Sequence, residues 1–208
     1  MPPRAKRKTR APRRLGAATR RELLQASWMT HDAMWFAASV RLCGIGRTNL
    51  AARAAARSAA EIEAQRLCNA LGLPRVRGFA ELKRFLREAL GSMRAPRMRF
   101  GVSFPAPNVM RWKASRCFAH DCATRLGVIA DYQCGVFERL EGWLETLGVA
   151  ARAAPAVEGC LMHARGACAR EYRFSFEPGS RTRPDGCSRA RRDSGPGQNT
   201  LRTSRSAG

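Results

Sequence analysis

Apolar residues between positions 22 and 90 recur every three or four residues, the period of helices with one buried face. Leu24, Trp28, His31, Trp35 and Ser39 keep this spacing and predict a helix over 22–42, ended by Gly44 and Gly46. Thr48 stands as the N-cap of a second helix over 49–71, with Gly72 and Pro74 as its stop signals. This helix is alanine-rich, so its backbone can approach a neighbour closely, and Glu63 can pair with Arg66 on its outer face. A third helix over 79–90 places Phe79, Leu82, Phe85, Leu86 and Leu90 on one stripe.

The period then changes. Met98, Phe100, Val102 and Phe104 alternate with Arg99, Gly101 and Ser103, as in a half-buried strand. PAPN at 105–108 predicts a turn, and 109–117 a second strand with Met110, Trp112 and Ala114 on one face. Short helices follow over 118–126 and 135–147, the second aligning Phe137, Leu140, Trp143, Leu144 and Leu147. Segments 157–163 and 167–176 predict a hairpin around Arg165-Gly166. The implied fold class is α+β, with N-terminal helices followed by a small antiparallel sheet and interspersed helices.

Charge divides the chain. Of a net +22 over 208 residues, residues 1–21 carry +9 and residues 178–208 carry +5. Each end holds a single leucine, too little apolar surface to offset an ordering cost of about 1–2 kcal/mol per residue. Both are expected to be disordered basic extensions flanking a single domain over 22–177. The basic start is not followed by an apolar h-region, and no apolar run approaches the roughly 20 residues of a bilayer span. The expected compartment is the cytoplasm, where the eight cysteines stay reduced or bind metal.

The chemistry-bearing residues form two groups. In WMTHDAMWF, His31 and Asp32 sit within one helical turn of Trp28, Trp35 and Phe36. An adjacent His-Asp pair occurs in metal-dependent phosphohydrolases, but those need an upstream histidine, and His31 is the first of three here. Two readings remain: a core histidine fixed by a backbone carbonyl, or a polar notch facing a ligand, with His31 able to act as a base. The second group is sulfur. Cys117, Cys122 and Cys134 cluster with His120, and Cys160 and Cys168 fall on the two arms of the predicted hairpin. Zinc takes four thiolate or imidazole ligands, yet no C-x2-C spacing is present. Core thiols, a metal site and a reactive pair all fit this pattern. Cys43 and Cys68 fall within helices, and Cys187 in the basic tail.

DYQCGVFERLEGWLETLG, with WMTHDAMWF and VEGCLMHARGAC, resembles a bacterial and archaeal family of small cytosolic proteins of unknown function. It is more distantly similar to the aminothiazoline-carboxylate hydrolase-like proteins. The resemblance covers roughly 22–177 and implies an α+β domain with helices leading. Its motif falls on His31, Asp32, Trp35, Tyr132, Cys134, Gly135, Arg139, Gly142, Trp143, Cys160 and Cys168. The distant similarity implies hydrolase chemistry and assigns no role to any of these positions. Beside it, Cys134 precedes a helix whose N-terminus favours a thiolate. Packing beneath a tight turn at Gly135 is the other reading.

These readings give a small-molecule-binding domain with a Cys/His metal site, zinc being the candidate ion, in a pocket between the His-Asp helix and the cysteine-bearing sheet. His31, Asp32 and Cys134 would be catalytic in a hydrolysis. Trp28, Trp35, Tyr132 and Arg139 would bind the ligand, and Cys117, Cys134, Cys160 and Cys168 the metal. The alternatives are a nucleic-acid-associated protein acting weakly and non-specifically through its basic ends, and a partner-binding domain without chemistry.

Overall fold

The computed structural model describes residues 14–95 and 97–176. The expected disorder of residues 1–13 and 178–208, and the position of Cys187, lie outside the described residues. The fold is α+β. Two helices lead, α1 (Ala17–Leu71) and α2 (Phe79–Ser92), followed by strands β1 (Arg99–Ala106) and β2 (Val109–Arg116). Then come α3 (Phe118–Arg125), α4 (Gly135–Thr146), β3 (Ala150–Ala154), the one-turn α5 (Leu161–Arg165) and β4 (Cys168–Ser175). Residues 17–21, assigned to the basic extension by composition, are the first turn of α1.

α1 is two helical limbs joined at Gly44, whose φ of 75° and ψ of 164° lie outside the helical region. Contacts with one guanidinium show how far it folds back. Arg139 lies 5.5 Å from the Trp28 ring and is also paired with Glu63. Along an unbroken helix Trp28 and Glu63 would be about 52 Å apart at 1.5 Å per residue. The limbs therefore run back alongside each other, as an αα-hairpin. Nearer the bend, Phe36 and Asn49 both meet the 131–133 loop. Thr48 is not an N-cap. It lies inside the helix and its hydroxyl donates to the Gly44 carbonyl at 2.8 Å. Gly72, at φ 61°, closes the helix as its sequence position predicts.

The sheet is antiparallel in the order β1-β2-β4-β3. β1 and β2 meet at Pro107-Asn108. Asn108 takes a positive φ of 59°, and proline followed by such a residue is the pairing of a type II turn. The predicted second hairpin is corrected. Residues 157–163 contain no strand; β4 pairs instead with β3, a run of alanines and one arginine that carries no hydrophobic alternation. One sheet face packs on α2 and α4, where Trp112 meets Phe137 edge-on at 6.1 Å and Phe85 meets Trp143 at 6.2 Å. The second limb of α1 packs on α4. Ala60 is fully buried there, and a Cβ at Gly142 would lie 2.8 Å from its side chain, so only glycine allows this approach. Ion pairs from Arg53 and Arg57 to Glu138 flank the contact. Glu63 reaches Arg139 and the Trp143 indole N–H; the expected pairing with Arg66 is not formed. No described helix is long and apolar enough to cross a membrane.

Candidate functional site

His31, Asp32, Trp28 and Trp35 do not line the cavity that the cysteines share, although Phe36 of the same limb packs against Ala123, Tyr132 and Cys160 and Asp32 acts electrostatically on Cys122. His31 and Asp32 are exposed on the first limb of α1, and Trp28 and Trp35 remain 57% and 49% exposed. Loss of surrounding water raises the Asp32 pKa, against the opposing charges of Arg139 and His31. Arg139, expected to hold a ligand, is committed to the fold. It pairs with Glu63 and stands 5.5 and 5.8 Å from the centres of the Trp28 and Trp143 rings. Tyr132 is the one member of the expected ligand set that reaches the cysteines. Its ring meets Phe36 edge-on at 5.8 Å, and its hydroxyl accepts the Gly135 N–H at 3.4 Å. Burial holds that phenol well above its usual range.

The four cysteines expected to act together do converge. Cys117, Cys134, Cys160 and Cys168 line one cavity of about 20 Å³ with His120, Tyr132 and Trp112. That is room for roughly one water molecule. Cys117, Cys134 and Cys160 are the N-cap residues of α3, α4 and α5, and Cys168 opens β4. Cys160 is thus not a cross-strand neighbour of Cys168; Ala114 is. The helix N-terminus behind Cys134 acts in the expected direction, through the Phe137 and Val136 N–H groups, but burial outweighs it. Its pKa is pushed up to about 12, and burial likewise carries Cys117 to about 11. Burial thus opposes the charged form at both sulfurs, which favours the reading of Cys134 packed beneath the turn at Gly135. Beside Cys168 stands the buried Trp112 indole N–H, whose approach to that sulfur lowers the thiol's pKa against the larger effect of burial and which has no other hydrogen-bond partner among the described residues. Among the described residues no three His, Cys, Asp or Glu side chains are grouped to hold a metal ion in this arrangement.

The larger cavity was not anticipated. It is a cleft of about 300 Å³ between α2 and β1, walled by Leu90 and Val102 and lined by Lys83, Arg87, Arg94, Phe100 and Phe104. β1 is an edge strand of the described sheet, so the cleft lies along a backbone edge that no described strand pairs. Lys83 and Arg87 stand 5.3 and 5.7 Å from the Phe104 ring centre, and Arg94 5.8 Å from that of Phe100. Phe100 also stacks on Trp112 at 4.3 Å. None of the three cations forms an ion pair among the described residues, and no acid lines the cleft. Some cations outside the cleft are paired: Arg111 and Arg173 share Glu171, and buried Arg170 bonds Glu141, the Tyr172 hydroxyl and the Pro155 carbonyl. The sequence did hold a signal. Lys83, Arg87 and Arg94 are one and then two turns apart on the flank of the apolar stripe, and the next element carries Phe100 and Phe104.

Asn49 also escaped the sequence reading. Buried, its side-chain amide donates to the Asp131 carbonyl at 2.7 Å and its carbonyl accepts the Gln133 N–H at 3.1 Å, fixing the loop that delivers Cys134. Nothing in its local pattern marks a partner more than eighty residues away. The chain was compared with protein-family models, with curated proteins and with solved structures, and no match was found in any of the three.

Proposed function

We propose that this chain binds single-stranded nucleic acid along the cleft between α2 and β1. The observation that carries the reading is Lys83, Arg87 and Arg94 facing one cleft without acids, beside the part-exposed rings of Phe100 and Phe104. Cations neutralise phosphates, and Phe104, whose ring carries only the side chains of Lys83 and Arg87 over it, offers a base a stacking surface worth about 1–3 kcal/mol once those cations turn to phosphate. A net charge of +22 raises the encounter rate with any polyanion.

The test is fluorescence anisotropy of the full chain with labelled single-stranded DNA and RNA over a salt series. Replacing Lys83, Arg87 and Arg94 together by Gln should weaken binding at least tenfold. It should also flatten the salt slope by about 2, since each phosphate left without its cation removes about 0.7 from the slope. Phe104→Ala should weaken binding at unchanged salt slope. Binding and slope identical to the unsubstituted chain would remove the cleft as the site. Displacement by an acidic peptide in preference to an oligonucleotide would remove nucleic acid as the ligand.

A second reading rests on the thiol cavity. Four cysteines and His120 share it with the Trp112 indole N–H, which favours a negative sulfur at Cys168, and a soft cation such as zinc would supply the reason for that charge. The thiols would have to close inward to bind it. Purified protein with less than about a tenth of an equivalent of zinc, and unchanged stability on chelation, would eliminate this reading.

A further inference from the structure

The first limb of α1 leaves an apolar stripe in water. Leu24, Trp28, Trp35 and Leu42 are 71, 57, 49 and 85% exposed. With His31 and Ala38 between them, they follow the spacing 4-3-4-3-4, the alternation of the two seam positions of a helix pair. Phe36 and the buried Ala37 face the body of the protein, so the stripe lies to the side of that contact; Arg139 stands at one edge of it, over the Trp28 ring, and Leu24, Trp35 and Leu42 stay exposed. Its length, residues 24–42, is about 27 Å of helix.

We propose that a second copy of this chain covers the stripe, the two limbs packing antiparallel about a two-fold axis at Ala33. Two properties of the stripe select this occupant. The first is self-complementarity. Antiparallel pairing about Ala33 sets Leu24 against the partner's Leu42, Trp28 against the partner's Ala38 and His31 against the partner's Trp35. Each large ring at Trp28 thus meets a small residue, and each seam position meets the opposite seam position, as an isologous interface requires. The second is charge. Residues 22–40 are the longest stretch of the chain without Lys or Arg, and they hold Glu22 and Asp32. On a chain of net charge +22, this is where two copies meet without opposing their cations. The inference is independent of the ligand in the α2/β1 cleft.

Sedimentation velocity of the full chain at micromolar concentration decides it. The expected mass is twice the 23.0 kDa of one chain. Trp35→Glu with Leu42→Glu should return the monomer with an unchanged circular-dichroism spectrum, since both side chains are exposed. Orientation is read by oxidising an equimolar mixture of Leu24→Cys and Leu42→Cys chains, each carrying Cys43→Ser. The expected cross-linked product joins the two different variants, and neither variant cross-links alone. A monomer at 50 micromolar (roughly the upper end of ordinary handling), a dimer that survives the double Glu substitution, or a cross-link between two Leu24→Cys chains would each overturn the proposal.

Discussion

At the scale of single residues, burial overrides the local chemistry that sequence suggests. Cys134 occupies the helix N-terminus where a thiolate is favoured, yet removal of water raises its pKa to about 12. The consequence for stability has a definite sign. In the unfolded chain these thiols ionise near 9.0, whereas in the fold Cys117 and Cys134 hold their protons to about 11 and 12. Above pH 9 the unfolded state therefore binds fewer protons, and stability falls as pH rises toward those folded values. Urea titrations at pH 7.5 and pH 10 should show a lower midpoint at the higher pH, a difference that Cys134→Ala reduces. Iodoacetamide at pH 7.5 should label exposed Cys43 well before Cys134 or buried Cys68. Equal midpoints with simultaneous labelling would contradict this account. The histidine of the His-Asp pair shows the reverse problem. Its aromatic neighbours suggest an enclosed site, but their large areas are spread over a surface.

At the scale of elements, most helices and the first two strands were legible because their determinants are local. The stripe of α2, the alternation of β1 and the glycine after Cys134 need only neighbours within a turn or two. The two-limbed α1 was legible too, through Gly44. Its φ of 75° and ψ of 164° belong to a region that glycine alone occupies without strain. A Cβ at Gly44 would meet no other atom, so the penalty for Gly44→Ala is purely one of backbone conformation, about 1–3 kcal/mol. Gly46, two residues on, has helical backbone and open space, so Gly46→Ala should stabilise by up to about 1 kcal/mol. Opposite shifts in the denaturant midpoints of the two variants are expected; shifts of the same sign would mean that Gly44 is not the bend. β3 was not legible. Its five residues include four alanines, and it is a strand only because β4 offers it an edge.

At the scale of the whole molecule, positive charge is the dominant compositional feature, and the sequence tied a nucleic-acid role to the ends alone although residues 22–177 also carry an excess of +8. The folded part carries cations without ion pairs at the α2/β1 cleft, while other cations are matched by acids: Arg53 and Arg57 by Glu138, Arg139 by Glu63, Arg170 by Glu141. In the proposed binding experiment, any salt slope that persists after the three cleft cations are neutralised measures what the other cations contribute. The same matching separates Arg139, which the motif singled out, from Lys83, which it did not. Two cationic positions cannot be told apart until it is known which one has a carboxylate beside it.

The amino-acid sequence by itself determined the α+β class, a break in the first helical stretch near Gly44 and Gly46, the start and apolar stripe of α2, the β1-β2 hairpin and the excess of positive charge. These follow from torsional preference, hydrophobic period and composition, all of which act within a few residues. Tertiary structure decided the rest. It drew four cysteines from four element ends to one cavity, set Asn49 against a loop some eighty positions away, turned a tryptophan-bearing stripe to water and left three cations unpaired beside two rings. Each of those outcomes depends on which distant surface arrives to remove water or supply a counter-charge, and local spacing holds no record of that.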